Sequence, residues 1–290
     1  MTLIAIAAAP AARALLANTK TAQVLNVFER ACNLVNPAGA VLSLVSTGRG
    51  MTPFGLLVPG GSPPFSALVS AASLVRVERE VLRVGALAIV YRQAQDWNPT
   101  PDWIALRRLF AQPSSLSNLA LAASARPSRG SLLELFAEGG AISDPLVDRC
   151  RSGAQRLLDG LRQHAEGRAI EGAALLAGVG GGLTPAGDDF IVGALLEAWA
   201  GLYGAGLEPL AKSVADAAAG RTTTLSGAYL RAAALGECSA PWHSLFGALL
   251  TGEPIAINHA LTNLLAVGHT SGGDGLAGLL AAHYLLTVVE

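Results

Sequence analysis

Hydrophobic and polar positions follow two different rhythms along this chain, and the rhythm changes near residue 100. In the first third the apolar runs are short. Residues 41–46 and 54–58 read as strands, divided by 47–53, where Gly48, Gly50 and Pro53 interrupt regular structure. Residues 74–84 carry branched side chains at Val75, Val77 and Val81, which predicts a strand or a strand pair. Residues 86–91 form a compact apolar strand after Gly85. Residues 22–33 instead show helical spacing at Val24, Val27, Phe28 and Ala31. Short strands this close together predict a small antiparallel sheet or barrel.

The run Trp97-Asn-Pro-Thr-Pro marks a boundary, and beyond it nearly every apolar pattern has helical period. Helices are predicted over 102–111, 131–137, 144–165, 208–219, 226–235, 241–250, 255–266 and 276–288. The segment after Gly167 reads as helix, glycine loop, helix. Asp144-Pro145 is a helix start signal, with Asp as N-cap and Pro in the first helical position. The fold class is therefore α+β: a strand-rich N-terminal part over residues 1–98, then a mostly α-helical part over 99–290 that carries the glycine-rich loops.

Composition narrows the function classes. Of 290 residues, 51% are hydrophobic and 14% charged, the balance of a globular chain with a sizeable core. The longest apolar run, residues 190–203, is too short to cross a membrane and contains Glu197. No Lys or Arg precedes the apolar start, and Arg13 follows it, so no signal peptide is predicted and the expected location is cytoplasmic. Cys32, Cys150 and Cys238 are far apart and form no CxxC pair, as expected of buried thiols. A net charge of −1 argues against nucleic acid as a partner. Arg76, Arg79 and Arg83, interleaved with Val and Glu, read as a solvated sheet face.

The candidate chemistry lies in two loops. Gly178-Val-Gly-Gly-Gly-Leu-Thr-Pro-Ala-Gly-Asp-Asp packs five glycines into ten residues, with a helix predicted from near Asp188. Glycine admits φ > 0 and lets a ligand approach main-chain N–H groups, and a helix start favours an anion. Gly268-His-Thr-Ser-Gly-Gly-Asp repeats the theme before a second helix. Aligned from the helix side, Asp189 matches Asp274, with one extra residue in the first copy. The aspartates complicate an anion site, since Asp188, Asp189 and Asp274 repel phosphate or carboxylate. They cap their helices, or hold a cation such as Mg²⁺, or meet a ligand with N–H donors beside its acidic group. A carbamoyl or ureido compound is such a ligand.

Neither loop is a Walker motif, because no Gly-Lys-Ser/Thr follows, and the first follows a helix, which fails the context of a dinucleotide fingerprint. A third segment, Arg221-Thr-Thr-Thr-Leu-Ser-Gly-Ala-Tyr, combines an arginine with hydroxyls, either an oxyanion grip or a capped helix start. His243, His259 and His283 fit packing or surface roles better than ligand roles. No HExxH, zinc-ligand spacing or Gly-x-Ser-x-Gly elbow appears.

Three segments together carry a family resemblance: Gly180-Gly-Gly-Leu-Thr-Pro-Ala-Gly-Asp-Asp-Phe, Arg221-Thr-Thr-Thr-Leu-Ser-Gly-Ala-Tyr-Leu and Gly268-His-Thr-Ser-Gly-Gly-Asp-Gly-Leu-Ala-Gly. With Val27-Phe-Glu-Arg-Ala-Cys-Asn-Leu and residues 41–45, they resemble the AllH-subunit family of oxamate carbamoyltransferase, many of whose members are described only as a domain of unknown function. The resemblance implies a part in ureide breakdown, alongside partner subunits, in converting oxalurate and phosphate to oxamate and carbamoyl phosphate or the reverse. It implies catalytic roles for Asp188, Asp189, His269 and Asp274. It implies substrate contacts for Gly181, Gly182, Thr184, Gly187, Arg221, Thr223, Ser226, Thr270, Ser271 and Gly273. Gly182 and Ala186 stand where Pro and Ser are expected in many members, which removes one hydroxyl contact.

Three functions compete: a carbamoyltransferase component, a metal-assisted hydrolase using Asp188, Asp189 and Asp274 with Mg²⁺, and a non-catalytic subunit whose loops dock or regulate. The expected partners are a small anionic or ureido ligand and other subunits, with a homo-oligomer compatible and no membrane. No cofactor is demanded beyond the candidate Mg²⁺.

Overall fold

A computed structural model describes residues 1–60, 63–112, 114–126, 130–133, 145–201 and 206–287. The chain forms two compact units, Met1–Pro99 and Thr100–Glu290.

The first unit is a ten-stranded sheet of β1 (Thr2–Ile4), β2 (Ala7–Ala8), β3 (Thr21–Val27), β4 (Ala31–Val35), β5 (Val41–Ser46), β6 (Gly55–Val58), β7 (Val75–Val77), β8 (Val81–Val84), β9 (Leu87–Val90) and β10 (Gln95–Asp96), in the order β1-β9-β8-β7-β3-β4-β5-β6-β2-β10. Strands β1 (Thr2–Ile4) and β2 (Ala7–Ala8) are neighbours in sequence but lie far apart in that order. Ala5 donates to Val90 O on one side, and Ile6 donates to Leu57 O on the other. The sheet therefore curls into a half-barrel. Its centre is β5 (Val41–Ser46), buried at every position and paired antiparallel with β4 (Ala31–Val35) and parallel with β6 (Gly55–Val58). Residues 74–84 form the hairpin β7 (Val75–Val77) and β8 (Val81–Val84), followed by β9 (Leu87–Val90). Helix α1 (Pro10–Asn18) follows β2 and buries Ala12, Leu15 and Leu16, and the short helix α2 (Phe65–Leu68) buries Phe65.

The helix expected over residues 22–33 is instead β3 (Thr21–Val27) paired antiparallel with β4. A register shift between Val24 and Asn26 marks a bulge. The extra residue breaks the period-two alternation that identifies a strand, and the interrupted spacing imitates a helix.

The second unit is helical. α3 (Trp103–Phe110) starts on Asp102, whose carboxylate accepts from Ala105 N–H at 3.0 Å. α4 (Ser117–Ser124), which the sequence reading lacked, follows it. The helix expected over 131–137 lies outside the described residues beyond 133, as does Asp144. Then come α5 (Pro145–Arg162), α6 (Glu166–Leu176), α7 (Ala186–Gly201), α8 (Leu207–Ala219), α9 (Thr224–Ala234), α10 (Ala240–Thr251), α11 (Pro254–Leu265) and α12 (Ser271–Thr287). No described helix is long and apolar enough to cross a membrane.

α7 is apolar around its circumference, which suits a central helix packed on all sides. It lies parallel to α12, from a Thr184–Ser271 contact before one end to a Glu197–His283 contact near the other. Glycines let the two backbones touch. A Cβ on Gly193 would stand 2.8 Å from the carbonyl carbon of Gly275, and one on Gly278 would stand 2.8 Å from that of Phe190. These contacts are reciprocal: Gly193 is to Gly278 as Phe190 is to Gly275, with one constant sequence offset. The same offset relates Asp189 to Asp274 and the first residues of the two helices, Ala186 and Ser271. The echo in the sequence is thus an approximate two-fold relation in space, with its axis running along the helix pair.

Candidate functional site

The repeat extends into the turns that precede both helices. Gly187 presses on the end of α6: a Cβ there would lie 2.9 Å from the Leu176 carbonyl carbon. Gly272 presses on the end of α11 in the same way, 2.7 Å from the Leu264 carbonyl carbon. Their N–H groups turn back equivalently, Gly187 to Val179 O at 2.9 Å and Gly272 to Val267 O at 3.2 Å. The first copy has the longer connection, and its glycines Gly178, Gly180 and Gly182 adopt φ of 71°, 107° and 90°.

This geometry corrects two expectations. The second glycine segment is mostly helix, since α12 begins at Ser271, five residues before the predicted start at 276. Gly272 serves close packing within its first turn, and Gly273 is buried in the same turn. Helix N–H groups expected to be open to an anion are also engaged: Asp188 and Asp189 donate to Pro185 O, and Asp274 donates to Thr270 O at 2.9 Å.

The three singled-out segments meet. Asp188 is fully buried and accepts Gly178 N–H at 2.9 Å, the Ser226 hydroxyl at 2.8 Å and the Thr222 hydroxyl. It joins the first loop to α9. Thr223 reinforces that joint, donating to Leu183 O at 2.5 Å and capping α9 by accepting from Ser226 N–H at 3.0 Å. Thr184 and Ser271 hydroxyls lie 2.9 Å apart and join the first loop to the second. Thr222, outside the predicted site set, was visible only as part of a hydroxyl-rich run. The Leu132 N–H, which donates to Asp274 at 2.6 Å, has no signature in the sequence.

Asp189 and Asp274 differ from Asp188. Asp274 is fully buried, and its Oδ2 has no hydrogen-bond partner among the described residues. Asp189 is half-buried as a residue, yet its Oδ2 is also shielded from solvent and unpartnered. Burial pushes all three carboxyls above the usual carboxylate range. The push is strongest on Asp189, where the Ser271 and Thr184 hydroxyls pull back but the negative charges of Asp274 and Asp188 add to it. The cluster resists carrying three negative charges at once.

The other predicted positions lie around this core. Gly181, Gly182, His269 and Arg221 are exposed. Arg221 has its backbone against Gly178 and makes no ion pair among the described residues. Thr270 is half-buried, its hydroxyl close enough to lower Asp274 slightly, and Gly273 is buried. His283 is a core residue, as its apolar pattern implied: fully buried, it lies 3.2 Å from buried Glu197 and 3.4 Å from the Ser115 hydroxyl. His259 is at the surface. A separate open depression on the helical unit is lined by Arg156 and Arg168, which already pair with Glu171 and Asp159.

The fit to a metal is partial. Among the described residues no group of three or more His, Cys, Asp or Glu is placed to hold one. Asp188 spends both oxygens on protein donors, so Asp189 and Asp274 would each offer a cation one oxygen.

Comparison with known proteins gives two matches. Residues 176–283 match the family described as oxamate carbamoyltransferase subunit AllH, and residues 4–96 match the AllH family N-terminal domain. The first match runs from the end of α6 to His283 and includes all three site segments. No solved structure matches the chain. The chain belongs to the AllH family of oxamate carbamoyltransferase subunits.

Proposed function

We propose that this protein handles a small carbamoyl, ureido or carboxylate ligand as one component of a cytoplasmic carbamoyltransferase complex in ureide catabolism, with the glycine segments and Arg221–Ser226 as its binding site. The observation that carries this reading is the meeting of those three segments around Asp188, Asp189 and Asp274.

The chemistry supports it. Transfer from oxalurate forms a bond between a phosphate oxygen and the carbamoyl carbon and breaks the bond from that carbon to the oxamate nitrogen. The departing nitrogen needs a proton. A carboxyl whose pKa is raised by burial and by neighbouring carboxylates, as Asp189 is, can hold and deliver one. Asp188 and Thr223 act as positioning residues, because their side chains are occupied in joining the walls. Arg221 and His269, exposed beside the loops, are suited to the anionic end of the ligand.

A second reading keeps the two unpartnered carboxylate oxygens for Mg²⁺ in a metal-assisted hydrolase. The deciding experiment measures thermal shifts with oxalurate, oxamate and carbamoyl phosphate in the presence of partner subunits, with EDTA or with Mg²⁺. A rise with these ligands in EDTA supports the carbamoyl reading. Flat responses to all three sink it, and a rise with Mg²⁺ alone favours the hydrolase.

A further inference from the structure

Two carboxyl oxygens in the site, Asp189 Oδ2 and Asp274 Oδ2, are shielded from water and have no hydrogen-bond partner among the described residues. A buried acceptor without a donor is costly, so a native site that keeps two of them invites a ligand that supplies donors. Their arrangement says which kind. Asp189 and Asp274 occupy equivalent positions on two parallel helices related by the approximate two-fold axis, with Gly275 against the Asp189 carbonyl. The Thr184 and Ser271 hydroxyls at the starts of these helices lie 2.9 Å apart, so the two carboxyls share one seam, and the Asp274 charge bears on Asp189.

The matching chemical group has two N–H donors that diverge from one nitrogen. We infer that Asp189 and Asp274 together hold one primary amide, each accepting one of its two N–H bonds. An unsubstituted carbamoyl or carboxamide end meets that requirement. A carboxylate in the same place would set its oxygens against the aspartates. The inference rests on the carbamoyl reading above and adds which end of the ligand is buried: the NH₂ end is inside, and any acidic end faces the exposed Arg221 and His269.

The test compares oxamate with oxalate, which has the same shape with oxygen in place of NH₂, by calorimetric titration of the protein assembled with its partner subunits. Oxamate should bind about tenfold tighter or more, the usual weight of charge-assisted hydrogen bonds. Asp274→Asn keeps an acceptor for Leu132 N–H while adding a donor to the site. Asp274→Asn and Asp189→Asn should each shrink or reverse the preference, because the new N–H group can donate to oxalate. Equal binding of the two anions by the unaltered protein overturns the inference while leaving the carbamoyl reading intact. It is also overturned if both variants weaken the two anions equally, since a structural role alone does that, or if oxamate binds only with Mg²⁺ and is released by EDTA. Binding of neither anion removes the carbamoyl reading, and the inference falls with it.

Discussion

Gly193→Ala probes the seam on which the site is built. The added methyl would fall within the carbonyl group of Gly275, 2.8 Å from its carbon and 2.9 Å from Leu279 N. Ordinary carbon contacts lie at about 3.5–4.0 Å, so α7 and α12 must separate by about 1 Å. The obstruction is backbone, and no rotamer change relieves it. Overpacking of this kind costs about 1–3 kcal/mol, with the upper end expected where only backbone can move. Alanine returns about 0.8–1 kcal/mol through helix propensity. The net loss is about 2 kcal/mol, or a fall in Tm of about 4–8 °C for a unit of this size. Gly278→Ala should behave alike, because its contact with Phe190 is the reciprocal one. Gly247→Ala is the control: it is exposed within α10 and has nothing within 4 Å of the added carbon, so it should stabilise by about 0.4–1 kcal/mol. The assay is calorimetric melting with circular dichroism to confirm helix content. If Gly193→Ala and Gly278→Ala melt with or above the unaltered protein, the packed parallel seam is wrong.

The aspartates give two further predictions. Asp189→Asn should raise resistance to urea at neutral pH: burial lifts the folded-state pKa above the ordinary 3.8, so the stability present at low pH is lost as pH rises through that interval. The variant's advantage should therefore vanish as pH falls towards the ordinary carboxylate range, and an advantage independent of pH would contradict the assigned cause. Asp188→Ala should lower stability by about 2–4 kcal/mol, since it strands Gly178 N–H and two hydroxyls, and a denaturant midpoint unchanged from the parent would refute its joining role.

Most of the helical unit was legible because its apolar spacing is regular and its glycines and prolines mark the ends. The predicted strand at 41–46 coincides with β5, where both faces are buried and Val and Leu fill every position but the serines. Residues 22–33 misled because a bulge erased alternation, and α1 and β1 were hidden in an alanine-rich start with little periodicity. In the site, the residue types were readable but their division of labour was not. Asp188 and Asp189 are adjacent in sequence, yet helix geometry turns one towards α9 and its hydroxyls and the other towards α12. The glycines invited a reading as flexible, ligand-cradling turns. Gly187, Gly193, Gly272 and Gly278 instead permit backbone contact between elements distant in sequence, which no local pattern reveals.

The central claim is that three separate segments form one ligand site, and hydrogen–deuterium exchange tests it most directly. The protein assembled with its partner subunits is compared with and without oxalurate. The account predicts slowed exchange together at residues 178–189, 221–226 and 268–274. Protection confined to one of these segments, or appearing only elsewhere while ligand is bound, would contradict it.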